Sequence, residues 1–375
     1  MNPLDSPPPQ DALHVLTEVH GRVGLITLNR PKALNALSLP MIRSLANCLL
    51  AWRDDPAVAA VAIRGTGKTE PFGAFCAGGD LRFFHQAALV GDPQLDDFFT
   101  EEYELNHLIH DFPKPYIAFM DGIVMGGGMG ISQGAQIRIV TERTKMAMPE
   151  THIGLFPDVG GGYFLSRCPG SSGEWLALTG EVIGAEQALE LGLADACFDG
   201  AKLASAWHAL ASTDFARAGA LDQWLALFSV AAPSHAAVAT TKIDHYFSLN
   251  SVSDIMRALE ADNSAWAQHC AASLRKRSPL MLHVALAQIR RARGMALADA
   301  LRLERDMVRH CFHPAHLGRS SSQSEVMEGI RALAVDKDHA PVWNPARIEG
   351  VTNAMVEPFF KSLWTPKTHP LRSLS

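Results

Sequence analysis

Tyr116-Ile-Ala-Phe-Met-Asp-Gly-Ile-Val-Met-Gly-Gly-Gly-Met-Gly-Ile131 is the stretch on which the reading of this chain turns. It follows Pro113 and Pro115 as an apolar, β-prone run. It breaks at Gly126, Gly127 and Gly128 and resumes as a small-residue helix through Ala135. A strand that turns on glycine into a helix leaves unpaired backbone N–H groups at the helix start, where the helix dipole also favours negative charge. Glycine lets a ligand come close to that backbone. Two readings are open: a seat for an anion or a polarised carbonyl oxygen, or a glycine-lined helix packed on a sheet.

Phe75-Cys-Ala-Gly-Gly-Asp-Leu81 repeats the pattern upstream. Residues 14–19 and 23–28 flank Gly21-Arg22 as a hairpin does. Ser38 stands where it can cap a helix to about Arg53, with Met41, Ile42, Leu45, Leu49 and Trp52 on one face. Val58–Ile63 and Ile137–Thr141 read as buried strands. Lys145–Pro149 reads as a short strand ending at Glu150. Helices are expected at about 97–111, 163–167, 173–179 and 184–191. From about 200 to 310 the pattern is mostly helical, with one helix starting at Ser278-Pro279 and another near Ala298. Gly318–Ser324 reads as a mobile loop, followed by a helix from Ser324 to Leu333. Strand and helix alternate first and helices dominate later. The expected organisation is a flexible lead-in at 1–11, an α/β core at 12–200 and a helical region at 201–375.

The chain has 375 residues, 47% of them hydrophobic and 19% charged, which is ample for a full globular core. A net charge of −6 gives no basic footprint and argues against nucleic-acid binding. The six cysteines form no Cys-x-x-Cys pair and read as reduced thiols. No apolar run reaches membrane-spanning length. Residues 1–11 hold Pro7, Pro8 and Pro9 and read as neither a secretory signal nor an Arg-rich transit peptide. A cytoplasmic protein is expected.

Two N–H groups from separate glycine turns can converge on one oxygen, which is the arrangement of an oxyanion hole. Neither glycine run matches a nucleotide-binding fingerprint. Glu150 and Asp158 lie in apolar, proline- and glycine-rich surroundings, where a carboxylate is expected to titrate high and to serve as base, acid or nucleophile. The plainer alternatives are a helix cap for Asp158 and a salt bridge for Glu150. No Gly-x-Ser-x-Gly elbow is present. Cys76 reads as a packing residue. His310, His313 and His316 recur every three residues, but Pro314 interrupts them and no carboxylate motif accompanies them, so no metal site is expected.

In sum of spacing and order, these motifs resemble the crotonase, or enoyl-CoA hydratase/isomerase, superfamily. The resemblance rests on Asn29–Leu37, Phe75–Leu81, Asp121–Gly128, Met148-Pro-Glu150 and the run from Thr179-Gly180 to Gly192-Leu193. It implies a spiral of ββα units binding an acyl-CoA thioester. The N–H groups of Gly79 and Gly127 would form the oxyanion hole. Lys32, Ala33 and Leu34 would flank the adenine, and Ala77, Gly78, Asp80 and Leu81 would line the binding site. Hydratases of the family carry a glutamate where this chain has Gly130. The chain is more similar to the 3-hydroxyisobutyryl-CoA hydrolase branch. That likeness rests on Glu101-Glu-Tyr103, Pro149-Glu-Thr151, Ile153–Phe164, Glu328–Ala332, Asp336-Lys-Asp338 and Pro341-x-Trp343-x-Pro345.

This second resemblance implies hydrolysis of a short 3-hydroxyacyl-CoA, as in valine breakdown. Glu150 would be nucleophile or base, Asp158 would hold the 3-hydroxyl or protonate the thiolate, and Glu102 would line the acyl pocket. It implies no metal or redox cofactor, coenzyme A being part of the substrate, and a homo-oligomer in keeping with family habit. His152 departs from the small residue usual there, and the Ser-rich part of 311–328 reads as an insertion. A hydratase or isomerase of the family and a catalytically silent CoA-ester binding protein are the alternatives.

Overall fold

The computed structural model describes residues 14–68, 70–233 and 240–375. The lead-in expected at 1–11 lies outside the described residues. Six strands form one sheet: β1 (Val15–His20), β2 (Val23–Leu28), β3 (Ala60–Gly65), β4 (Tyr116–Met120), β6 (Ile137–Thr141) and β8 (Ala196–Phe198), adjacent in that order. The β1–β2 hairpin is antiparallel and every later pairing is parallel. Alternation along the strands sorts side chains to two faces. Ile26, Leu28, Val61, Ile63, Ala118, Met120 and Val140 enter the main core. Val23, Leu25, Ala60, Ala62, Ile117, Phe119 and Ile139 enter a smaller one with Phe198, Trp207 and Trp224. With both faces covered, β4 reads as an unbroken apolar run, and β2 and β3 are interrupted only at Thr27 and Arg64. β8 is a strand the sequence reading lacked; three residues carry no usable periodicity.

A second, narrow layer is built from β5 (Ile123–Met125) and β7 (Lys145–Ala147), which pair in parallel. Isolated bridges extend this layer, with Leu37 beside Gly79, Cys76 beside Val124, and Met146 beside Ile183. Each turn of the spiral thus passes through the large sheet, then this layer, then a helix. The layer sets the two glycine turns side by side: Cys76 N donates to Ile123 O and Met125 N to Cys76 O, both at 3.0 Å.

The helix Leu39–Asp54 begins where expected, but the Ser38 hydroxyl makes no capping bond and is buried without a partner. Asp80 does cap its helix, Leu81–Val90, accepting from the N–H groups of Arg82 and Phe83. Three phenylalanines pack against its Phe84. Phe84 meets Phe98 at 4.7 Å and Phe99 at 5.0 Å between ring centroids, and Phe99 meets Phe312 at 5.5 Å. Truncating Phe84 to alanine would cost about 3–5 kcal/mol.

From residue 200 to Val335 the described residues are mostly helical, notably at Val252–Ala261, Ala265–Arg275, Pro279–Ala292 and Leu297–Phe312, whereas 336–347 and 361–375 carry no helix, so the expected helical region 201–375 ends early. The Leu297–Phe312 helix is locked to the Gln94–His110 helix by Arg305, which reaches Thr100 at 2.9 Å and Asp96 at 2.7 Å. The main core runs from Val15 to Leu371, so the late helices share the interior of the early strands. The expected helix 324–333 is an α-helix only over Glu325–Ile330. It widens into a π-turn at Arg331–Val335, held by Arg331 pairing with Glu328, Asp336 and Asp338. Within Gly318–Ser324 a short 3₁₀ turn, Ser321–Gln323, is formed. Among the described residues no helix is long and apolar enough to cross a membrane.

Candidate active site

Both glycine turns open into one cavity of about 400 Å³. Gly78 at φ +101° and Gly126 at φ +49° adopt backbone that only glycine takes readily, and the residue after each, Gly79 and Gly127, lines the cavity. The turns touch: a Cβ on Gly127 would stand 3.5 Å from the Gly78 carbonyl carbon. Leu37 N donates to Gly78 O, and Asp80 N donates to Leu37 O, which pins the first turn on either side of Gly79. The N–H groups of Gly79 and Gly127 have no acceptor among the described residues. Gly127 opens the helix Gly127–Gln133, so its N–H is one of the four that a helix leaves unpaired.

Three carboxylates face this place. Glu150 opens a 3₁₀ turn, Glu150–Ile153, rather than ending a strand; the strand stops at Ala147. It is 6% exposed, its Oε2 has no partner, and its Oε1 lies 2.8 Å from where a Gly126 Cβ would be. Burial above all, with Asp158 and Glu304 nearby, holds its carboxyl well above the ordinary range. Glu102 projects from the Gln94–His110 helix, 2% exposed with Oε1 unpaired, and lies against Gly127. Burial, then Asp158 and Glu150, push it up as well. Glu101 points outward to Arg43 instead. Asp158 accepts a 2.8 Å bond from the Tyr103 hydroxyl. Burial raises it to about 6 against that bond's opposing pull.

The plainer alternatives for two of these acids are not realised. Glu150 has no ion pair among the described residues, and the Asp158 carboxylate does not cap the Gly161–Leu165 helix. Glu304 does that work from the Leu297–Phe312 helix, accepting from Gly160 N at 2.7 Å and Gly162 N at 2.9 Å. Burial lifts Glu304 to about 8 even so. Glu304 and Tyr103 are the site-building residues to which the sequence reading gave no role. A signal for Glu304 existed: it falls on the apolar stripe of its helix, with Leu301 and Val308.

Val159 takes φ +55°, a strained conformation for a β-branched residue. Its side chain fills the space beside Gly130. A Cβ on Gly130 would stand 2.7 Å from Val159 Cβ and 3.0 Å from Asn106 Nδ2.

Of the other expected binding residues, Ala77, Gly78 and Leu81 line the cavity. The Asp80 carboxylate is turned away, pairing with Arg30 at 2.8 Å and capping its helix. Lys32, Ala33 and Leu34 lie outside the cavity wall, in and just after a 3₁₀ turn, tied to the first glycine turn where Ala77 N donates to Leu34 O. His152 lines the cavity; its Nδ1 donates to Pro149 O at 3.0 Å, and burial, then Arg277, lower it to about 4, so it is neutral. Among the described residues no group of three or more His, Cys, Asp or Glu is placed to hold a metal ion, the set His310, His313 and His316 included. His310 bonds Lys361 O and meets the His316 ring edge-on, with centroids 5.0 Å apart.

Residues 23–360 match the family model described as enoyl-CoA hydratase/isomerase. The chain is 40% identical over 357 residues to the mitochondrial 3-hydroxyisobutyryl-CoA hydrolase of Danio rerio, covering 93% of this chain and 90% of that protein. With the Gallus gallus protein of the same name it is 37% identical over 373 residues, covering 94% and 90%. Among solved structures, a carnitinyl-CoA dehydratase from Mycobacterium thermoresistibile superposes with a TM-score of 0.84 at 38% identity, covering 93% of this chain and 97% of that one. An enoyl-CoA hydratase from Rhodobacter sphaeroides gives 0.83 at 36%, covering 93% and 98%.

Proposed function

The chain belongs to the enoyl-CoA hydratase/isomerase family, and from that premise we propose that it is an acyl-CoA thioester hydrolase acting on 3-hydroxyisobutyryl-CoA, an intermediate of valine breakdown, or a closely related short 3-hydroxyacyl-CoA. One observation carries the reading. Two N–H groups without acceptors and a buried carboxylate without an ion pair share one small cavity.

The thioester oxygen sits between the N–H groups of Gly79 and Gly127. Each donor is worth about 2.7–4 kcal/mol to a tetrahedral oxyanion in such a setting. Glu150 either attacks the carbonyl carbon, expelling the thiolate and leaving an acyl anhydride for water to open, or takes a proton from the attacking water. Asp158 keeps Oδ2 on Tyr103 and turns its other oxygen to the substrate, where it holds the 3-hydroxyl or protonates the thiolate. Glu102 closes the acyl end. Three mutually repelling buried carboxyls are not all ionised at once, so a proton is at hand for the leaving group. The chemistry draws on these carboxyls and backbone donors alone.

The solved neighbours named as a dehydratase and a hydratase favour water addition as a second reading. That reaction in this family asks for a glutamate at the Gly130 position, and Val159 and Asn106 fill the space it would need. The test is free-thiol release from a panel of acyl-CoA thioesters, run beside hydration of crotonyl-CoA. Thiol release from 3-hydroxyisobutyryl-CoA without hydration is expected. Hydration without thiol release would overturn the proposal, and tight binding without either reaction would leave a silent binding protein.

A further inference from the structure

A second cavity, of about 740 Å³, adjoins the catalytic one. His152 and Leu333 line both. Its other walls come from Ser273–Arg277, from the helix and π-turn at 329–333, and from the segment 339–346. Arg275, Lys276, Arg277 and His339 line it, and no carboxylate does among the described residues. In a chain of net charge −6 this is a local reversal of sign.

The cations differ in how they are satisfied. Arg275 is neutralised by Glu260 at 2.6 Å and Glu349 at 2.8 Å. Lys276 and Arg277 have no carboxylate within ion-pair distance among the described residues. Arg277 is 7% exposed and directs both Nε and Nη2 at a single backbone oxygen, Thr179 O, at 3.0 and 2.6 Å. A guanidinium carries five N–H donors, so one carbonyl leaves it under-used. Burial lowers Arg277 to about 10, with Glu181 opposing. The remaining wall is apolar, formed by Ala332, Leu333, Pro341, Val342 and the buried Trp343.

We infer that this cavity binds a phosphate-bearing anion, with Arg277 and Lys276 supplying the charge and the Trp343 wall taking an apolar or planar part of the same ligand. Guanidinium forks suit phosphate oxygens, and the volume fits a nucleotide-sized ligand rather than a lone phosphate. The occupant is either the nucleotide end of the acyl-CoA itself or a separate phosphorylated molecule. In both cases it rests against His152, whose ring is bonded to the carbonyl just before Glu150.

Direct binding tests the pocket without turnover, so it stands or falls independently of the hydrolase reading. Pyrophosphate and adenosine 3′,5′-bisphosphate are titrated calorimetrically into the full-length chain at low salt. Both are expected to bind. Lys276→Glu should weaken both at least about fivefold and Lys276→Ala less. Lys202→Glu, an equal charge change on a distant exposed site, should leave them unchanged. Absence of binding to the parent chain, or equal losses in Lys276→Glu and Lys202→Glu, overturns the inference. If KM for acyl-CoA rises in Lys276→Glu while KM for the matching acyl-pantetheine does not, the occupant is the substrate's own nucleotide. If pyrophosphate still binds to enzyme saturated with CoA, it is a separate anion.

Discussion

Replacing Gly130 separates a missing group from a site that cannot accept one. If only the glutamate of a hydratase were lacking, Gly130→Glu would create water addition. The packing says otherwise. Even Gly130→Ala brings a Cβ to 2.7 Å from the Cβ of Val159, a stiff, buried residue already held at φ +55°. Such overpacking costs about 1–3 kcal/mol. The better helix propensity of alanine returns about 0.5–1 kcal/mol. From the middle of both ranges a net loss of about 1–2 kcal/mol remains. Unfolding entropy near 2.1 cal/mol/K per residue gives roughly 0.8 kcal/mol/K for this length, so Tm should fall by about 1–3 °C.

Because Val159 follows Asp158, thiol release should fall about ten- to hundredfold at the same time. Gly130→Glu adds a buried charge without a partner, at several kcal/mol more, against a total stability of about 5–15 kcal/mol. Val159→Gly opens the space and suits the positive φ. The double variant with Gly130→Ala should therefore recover Tm, with a coupling of about 1 kcal/mol or more. Thermal unfolding followed by circular dichroism, free-thiol release and loss of enoyl-thioester absorbance measure these effects. A Gly130→Glu protein that melts with the parent and hydrates crotonyl-CoA would refute the reasoning.

Glu150→Gln should abolish thiol release from every thioester while largely keeping CoA-ester affinity, since the loss belongs to the transition state; turnover comparable to the parent excludes Glu150 from the mechanism. Gly127→Pro removes one N–H donor and should cut kcat about 10²–10³-fold in a folded protein, as circular dichroism beside a rate assay will report. Asp158→Asn should harm 3-hydroxyisobutyryl-CoA far more than isobutyryl-CoA, and equal losses would make it a general acid instead. Thiol release should fall as pH drops through a carboxylate titration above the ordinary range, because Glu150 acts ionised. Stability has the opposite sign: carboxyls raised on folding, with Asp158 at about 6 and Glu304 at about 8, contribute fully below the unfolded value and lose that contribution as pH rises through the folded one. The Tm gain of Glu150→Gln over the parent should therefore grow with pH, and a gain that shrinks would contradict it.

What could be read in advance was local. The two glycine turns, the strands leading into them, Glu150 and Asp158 each announce themselves within a few residues. The Asp158 surroundings did not, because Tyr103 and Glu304 reach it from 55 residues before and from a helix 144 residues beyond Gly160. The ion pair of Asp80 was hidden for the same reason: its partner Arg30 is 50 residues away. Val159 gave no warning either, since a valine at positive φ exists only where the surrounding structure compels it. The cationic cavity joins residues 275–277 to residues 339–343, an adjacency that no spacing rule contains.

The bonds from Gly160 and Gly162 to Glu304 also fix an order of events at the ribosome. At about 5–20 residues per second, Glu304 is made roughly 7–30 s after Gly160. Until it arrives, two amides that end up buried lack their acceptor, and the loop bearing Asp158 is held by Tyr103 without its second brace. A nascent chain long enough to hold both glycine turns and Glu150 therefore still lacks the acceptor that fixes the loop between Glu150 and the Gly161–Leu165 helix. The loop is complete only when the Leu297–Phe312 helix has been made and packed back on it.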